Sequence, residues 1–276
     1  MLLKEKVVVV TGGGGVLCSA MAQAVAKEGA RVAVLDLKKE AAEGVVRDIE
    51  AAGGKAAAYA CNVLKKEELE ACHQQINQDL GPCDILINGA GGNHPKGTTS
   101  SPFFDPSEID NPDLKTFFDL DAEGIEFVFN LNFLGTLLPS QVFASDMIGK
   151  KDASIINVSS MNAFTPLTKI PAYSGAKAAI SNFTRWLAVH FSTVGLRVNA
   201  LAPGFFLTDQ NRSLLTNSDG SPTPRGKQII DHTPLGRYGE PEDLISTLLW
   251  LCDPKSSFVT GVIVPIDGGF SAYSGV

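Results

Sequence analysis

Tyr173 and Lys177 stand four residues apart in Tyr173-Ser-Gly-Ala-Lys177, a spacing that places both on one face of a helix. The chemistry such a pair offers is proton transfer. A phenol near its free pKa of about 10 is a poor acid–base catalyst at neutral pH. A neighbouring ammonium stabilises the phenolate, so Lys177 is expected to draw the Tyr173 pKa down. Ser160 lies thirteen residues before Tyr173, closing the apolar run Ser154-Ile-Ile-Asn-Val-Ser-Ser160. Asn132 lies twenty-eight residues before Ser160, in the apolar segment Phe127 to Leu134. Taken singly, these read as a helix-surface Tyr, a solvated Lys, a strand-end Ser and a buried Asn. Their order and spacing make them one candidate set.

The elements that must position this set alternate regularly. Strand-like runs fall at Val7–Val10, Arg31–Leu35, Ala56–Ala60, Ile85–Ile87, Ser154–Val158, Arg197–Ala202 and Gly261–Pro265. Between them lie amphipathic segments such as Ser19–Glu28, Lys39–Ala52, Lys66–Leu80 and Tyr173–Thr193. Several strands are apolar on both faces, as parallel strands covered on each side by helices must be. The expected architecture is α/β: one Rossmann-type domain over residues 1–276, a doubly wound, seven-stranded parallel sheet with ligands at the carboxyl ends of its strands. Two stretches break the alternation. One is Gly91–Glu126, with a lid-like segment at about 92–126; the other is Phe205–Gly236, a substrate loop.

Two features point to a dinucleotide. Val7-Val-Val-Val-Thr-Gly-Gly-Gly-Gly15 is a strand running into a glycine loop, which lets a pyrophosphate approach backbone and helix N-terminus. Asp36 ends the next strand, where a carboxylate accepts both adenosine ribose hydroxyls and repels a 2′-phosphate. NAD is therefore favoured over NADP. The competing reading of Asp36 is the N-cap of the following helix.

Composition narrows the partners. The net charge of −7 argues against nucleic acid and requires local donors for any anionic substrate. The five cysteines (18, 61, 72, 83 and 252) form no CxxC pair, and no His stands at zinc-site spacing, so reduced thiols, no metal and a cytoplasmic location are expected. There is no signal-peptide pattern, and no apolar stretch approaches the ~20 residues that span a bilayer.

The combination of glycine loop, Asn132, Ser160 and Tyr173-x-x-x-Lys177 resembles the short-chain dehydrogenase/reductase family over essentially the whole chain. The resemblance implies a proton-exchanging Tyr173, a Lys177 that also holds the nicotinamide ribose, a Ser160 that hydrogen-bonds the reacting oxygen, and an Asn132 that holds a helix kink and a water near the Lys. It also implies cofactor contacts at Gly12, Gly14, Gly15, Leu17, Asp36, Asn62, Val63, Asn88, Ala90, Pro203, Gly204 and Thr208 besides Tyr173 and Lys177. The chain departs from the family pattern in four places: Val16 and Cys18 replace two loop glycines, Asn62 replaces an Asp, and Gly89 replaces the second Asn of Asn-Asn-Ala-Gly. Cofactor binding with an altered turn is expected.

About 20 extra residues between Asn88 and Asn132, with Ser160–Pro171, Pro203–Arg212 and the carboxyl-terminal Asp267–Val276, resemble the D-mannonate oxidoreductase (fructuronate reductase) branch. A polar lid carrying His94, Lys96, Asn162, Asn211 and Arg212 suits a sugar acid. The family implies a homo-oligomer, a tetramer. Alternatives are a gluconate- or polyol-type dehydrogenase or a ketoacyl reductase, the apolar Phe205 and Phe206 allowing a less polar substrate. In another class stands a non-catalytic nucleotide-sensing Rossmann protein, and an insertion that merely covers the sheet edge or an oligomer contact is also open.

Overall fold

Val7–Thr11 (β1) is buried at all five positions, without alternation, the signature of a strand covered on both faces. A computed structural model describes residues 1–208 and 211–275, and its other strands are Arg31–Asp36 (β2), Lys55–Ala60 (β3), Ile85–Asn88 (β4), Ser154–Val158 (β5), Arg197–Pro203 (β6) and Ile263–Ile266 (β7), of which β4 and β6 are likewise buried throughout and the edge strands β3 and β7 are not. All pair in parallel, in the order β3-β2-β1-β4-β5-β6-β7. The order reverses between β1 and β4, so the crevice for a ligand opens above their carboxyl ends.

The helices Val16–Lys27 (α1), Lys39–Ala51 (α2), Lys66–Asp79 (α3), Ala122–Phe129 (α4), Gly135–Phe143 (α5), Pro171–His190 (α6), Arg212–Leu215 (α7), Pro224–Asp231 (α8) and Ile245–Cys252 (α9) complete the chain. One apolar cluster joins α1, α2 and α9 to one sheet face through Met21, Val45 and Leu248. The other joins α3, α5 and α6 to the opposite face through Ile76, Phe143 and Leu187. Each such side chain contributes roughly 1.5–3 kcal/mol on leaving water.

Several boundaries differ instructively from the sequence reading. β1, β4 and β6 run one residue longer, so Thr11, Asn88 and Pro203 are themselves strand residues, and β3 starts one residue earlier, at Lys55. β7 begins at Ile263 rather than Gly261, whose φ of +76° is incompatible with a strand. The stretch 205–236, expected as loop, contains α8, started by Pro224 and by Thr223, whose hydroxyl accepts from the Gly226 N–H. Residues 209 and 210 of that stretch lie outside the described residues.

α4 and α5 are joined through a π-helical turn, Asn130–Leu134, into a helical run, Ala122–Met147, of 26 residues, whose most apolar 18-residue window has mean hydropathy 1.3. Contrary to expectation, this run is long and apolar enough to cross a bilayer. Half of its most apolar window is buried inside the fold, and Asn132, Thr136 and Ser140 turn inward to hydrogen-bonded positions. It packs as a core helix.

Candidate active site

A small cluster of Val128, Ala172 and Ala176, with Ile125 and Tyr173 against it, seats the start of α6 on α4. This contact fixes Tyr173, which is half-buried, at the carboxyl edge of the sheet. The expected helix face is real: Lys177 lies one turn on, its Nζ 5.5 Å from the Tyr173 ring centroid. Ser160, just beyond β5, sets its hydroxyl close enough to the Tyr173 phenol to favour the phenolate. The same Oγ accepts from the Asn162 N–H at 3.2 Å.

Asn132 occupies the π-helical turn, where a widened ring releases a carbonyl. Its Nδ2 donates to Val128 O and Gly92 O, both at 2.7 Å, and its Oδ1 accepts from Gly92 N. Gly91 brings this Asn to Lys177, because a Cβ on residue 91 would lie 2.7 Å from Asn132 Oδ1 and 3.2 Å from Lys177 Nζ. The structure therefore brings Asn132, Ser160, Tyr173 and Lys177 into one cleft.

The electrostatics differ from expectation. Burial pushes the Tyr173 phenol up to about 12, with the Ser160 hydroxyl pulling the other way. Burial drives Lys177 down to about 8. Lys177 does not depress Tyr173 here: its Nζ donates to Val158 O at 2.8 Å, so desolvation dominates the phenol.

The loop after β1 carries Gly12 at φ +63°, where a Cβ would meet the Ala90 backbone at 2.9 Å. Gly14 N donates to Asp36 Oδ2 at 3.0 Å, and Lys38 N donates to Asp36 Oδ1 at 3.0 Å. Asp36 does not cap α2, which starts after Lys38 without a side-chain cap. Gly15 caps α1 and likewise offers no side-chain acceptor, leaving the amides that include Leu17 aimed at the crevice. An uncapped helix N-terminus beside a strand-end carboxylate fits a dinucleotide.

Other expected contacts take more defined forms. Asn62 spends its Oδ1 on Leu64 N, leaving the amide as donor, and Val63 is buried beside it. Asn88 turns away and braces the sheet through Ser140 and Asn157, both at 2.9 Å. Ala90 N and Gly89 N both donate to the Thr11 hydroxyl, a link that the sequence reading missed. Pro203 ends β6, and Gly204 N donates to Ile266 O. Thr208 lies at the turn into α7, its N–H bound to Asn211 Oδ1.

Two expected substrate contacts are otherwise engaged. Lys96 pairs with Asp121 at 3.2 Å and Glu123 at 3.5 Å, so its charge is already neutralised within the insertion. Asn211 uses both ends of its amide on the backbone at Phe206 and Thr208, shaping the loop. His94 accepts from Lys96 N through Nδ1, which leaves the proton on Nε2, and packs against Phe127 with ring centroids 5.1 Å apart and the planes tilted by 56°. Arg212 is exposed and has no ion-pair partner among the described residues. Asn162 is 6% exposed and its Oδ1 has no hydrogen-bond partner.

The insertion is pinned near Tyr173 by Thr99 N, which donates to the carbonyl of Lys169. Lys169 has φ +75°, rare for a residue with a side chain. A surface cavity of about 680 Å³ lies within the insertion between Pro95 and Asp119 and includes none of the four clustered residues.

Known proteins resemble this chain along its whole length. An uncharacterised oxidoreductase of Haemophilus influenzae is 60% identical over 99% of this chain and 96% of its own length. The uncharacterised oxidoreductase UxuB of Bacillus subtilis is 52% identical over 99% of this chain and 98% of its own. A crystal structure from Haemophilus influenzae of a candidate D-mannonate oxidoreductase, with NAD bound, superposes with a TM-score of 0.94 at 59% identity, covering 99% of this chain and 98% of the other. The family profile described as short chain dehydrogenase matches residues 6–219, a span that includes the glycine loop, Asp36, Asn132, Ser160, Tyr173 and Lys177. With its parallel sheet, its uncapped α1 and this match, the chain belongs to the short-chain dehydrogenase family.

Proposed function

We propose that the protein is an NAD-dependent oxidoreductase that interconverts a secondary alcohol and a ketone on a sugar acid, with D-mannonate and D-fructuronate as the pair. The observation that carries the reaction type is the convergence of Tyr173 with Ser160 and of Lys177 with Asn132, beside the Asp36 carboxylate and the free end of α1. Tyr173 exchanges a proton with the substrate oxygen. Ser160 donates a hydrogen bond to that oxygen, and Lys177, braced next to Asn132, holds the nicotinamide ribose. NAD, when bound, takes up or returns the hydride.

The sugar-acid reading rests on the polar insertion, on Arg212 and on Asn162, whose buried unpartnered oxygen suits a substrate hydroxyl. The likeness to the NAD-bound Haemophilus structure supports the same assignment. The case for a less polar substrate weakens, because Phe205 packs at 5.3 Å on Phe270 and Phe206 is buried. A homotetrameric, cytoplasmic assembly goes with this reading. The exposed Phe129, Trp186 and Val189 supply an apolar surface for it.

Following NADH formation with aldonates, uronates and neutral polyols tests the proposal. Turnover of D-mannonate well above the neutral polyols is expected. Preference for a polyol removes the sugar-acid assignment, and inactivity on every alcohol with NAD and NADP removes the enzyme reading.

A further inference from the structure

Gly89 and Cys18 meet beneath the glycine turn. Gly89 is not among the left-handed glycines, so its backbone admits any residue; space alone excludes a side chain. A Cβ on residue 89 would overlap the Cys18 Sγ and come 2.9 Å from the Thr11 carbonyl oxygen, with the Cys18 Cβ at 3.6 Å. Cys18 is the third residue of α1 and is buried. Burial pushes its thiol pKa up to about 12. It is a neutral packing group.

Both positions are departures from the pattern of the family: Cys18 stands for a glycine, and Gly89 for an asparagine. We infer that Cys18 and Gly89 are a matched pair of positioning residues, the volume gained at 18 being given up at 89, so that the first turn of α1 keeps its seat against the end of β4 and its amides keep their aim at the cofactor pyrophosphate. Thr11 ties the same corner, its hydroxyl accepting from Gly89 N at 3.1 Å. The loop thereby works with a single glycine at the family's three positions. The inference rests on the cofactor reading above.

Calorimetric titration of NAD and ADP-ribose into wild type, C18A, G89A and C18A/G89A, alongside their melting temperatures, tests the pairing. A methyl forced into a filled site typically costs enough to weaken binding about ten-fold or more. G89A is expected to weaken NAD and ADP-ribose alike by about that factor, because both carry the pyrophosphate. C18A/G89A relieves the sulfur overlap, leaving Cβ atoms about 3.6 Å apart and only the 2.9 Å approach to the Thr11 carbonyl oxygen, and is expected to recover a clear part of the G89A loss. If G89A fails to fold, restored folding and binding in the double variant reports the same coupling. G89A that binds like wild type, or losses at the two positions that simply add, overturns the inference. Wild type that binds neither ligand overturns the cofactor reading instead, and the melting temperatures still decide whether the pair is coupled.

Discussion

Lys177 Nζ stands 5.5 Å from the Tyr173 ring centroid yet donates to Val158 O at 2.8 Å. The cation is beside the phenol, but its hydrogen bond is spent on the β5 carbonyl. Proximity along a helix is therefore not the same as electrostatic control. Burial sets both groups, holding Tyr173 as neutral phenol and bringing the Lys177 pKa towards the physiological range.

The pH dependence follows from those directions. Alcohol oxidation requires Tyr173 to accept a proton, so its rate is expected to climb with pH towards the raised phenol value near 12. Ketone reduction requires the phenol and should not climb in this way. A pH–rate profile of both directions, with hydride transfer shown to be rate-limiting, checks this; an oxidation rate flat between about pH 6 and 10 contradicts it.

Tyr173→Phe removes the hydroxyl and keeps the ring. Turnover is expected to fall on the order of 10²–10⁴-fold, while the NAD dissociation constant stays nearly unchanged. Single-turnover kinetics and cofactor titration separate the two, and near-normal turnover would remove Tyr173 from proton transfer.

Lys177→Met is expected to raise stability at pH 7 while weakening cofactor binding. The ammonium is disfavoured by burial, its pKa falling from the ordinary 10.5 to about 8, a penalty of about 3 kcal/mol at ~1.4 kcal/mol per unit. Losing the bond to Val158 O offsets part of that, so a melting temperature higher by about 2 °C or more is the expected outcome. The sign is set by the unfolded chain, which binds more protons between about pH 8 and 10.5. Wild-type stability from this group thus rises with pH across that window, and the gain of the variant shrinks there. A variant less stable at pH 7 and equally stable at pH 10 would contradict the burial argument.

Asp36→Ala should weaken NAD and narrow its advantage over NADP, because the carboxylate that faces the loop and holds Gly14 N is lost. Steady-state kinetics in which wild type already prefers NADP would overturn this.

The strands and the paired Tyr173 and Lys177 were legible because unbroken apolar runs, helix spacing and turn residues act over a few positions. What escaped the sequence depends on distant contacts. Lys96 reads as a free cation, and only the approach of Gly124, whose Cβ would lie 2.5 Å from Lys96 Cβ, brings it to Asp121 and Glu123. Cys18 and Gly89 each look like a weakened motif until the fold sets one in the space of the other. The short helix α8 was hidden by polar composition, although Thr223-Pro224 carries its start signal. The π-helical turn at Asn132 has no local signature, since Asn132 pairs with Gly92, forty residues earlier.

The same distinction decides which cation reads the substrate carboxylate. Lys96 is neutralised by two acidic neighbours, whereas Arg212, the first residue of α7, has no carboxylate partner among the described residues. A charge-assisted contact is worth about 1.5–3 kcal/mol, or roughly 10- to 150-fold in kcat/KM. Arg212→Ala is expected to lower kcat/KM for D-mannonate by that range and to leave a neutral polyol of equal length nearly unaffected. Lys96→Ala should affect both substrates alike, because it loosens the insertion rather than removing a free charge. Kinetics of the two variants on the two substrates decide the matter. If Lys96→Ala is the selective variant, the ion pairs open when substrate binds and Lys96 is the carboxylate ligand; if neither is selective, the carboxylate is met elsewhere in the cleft.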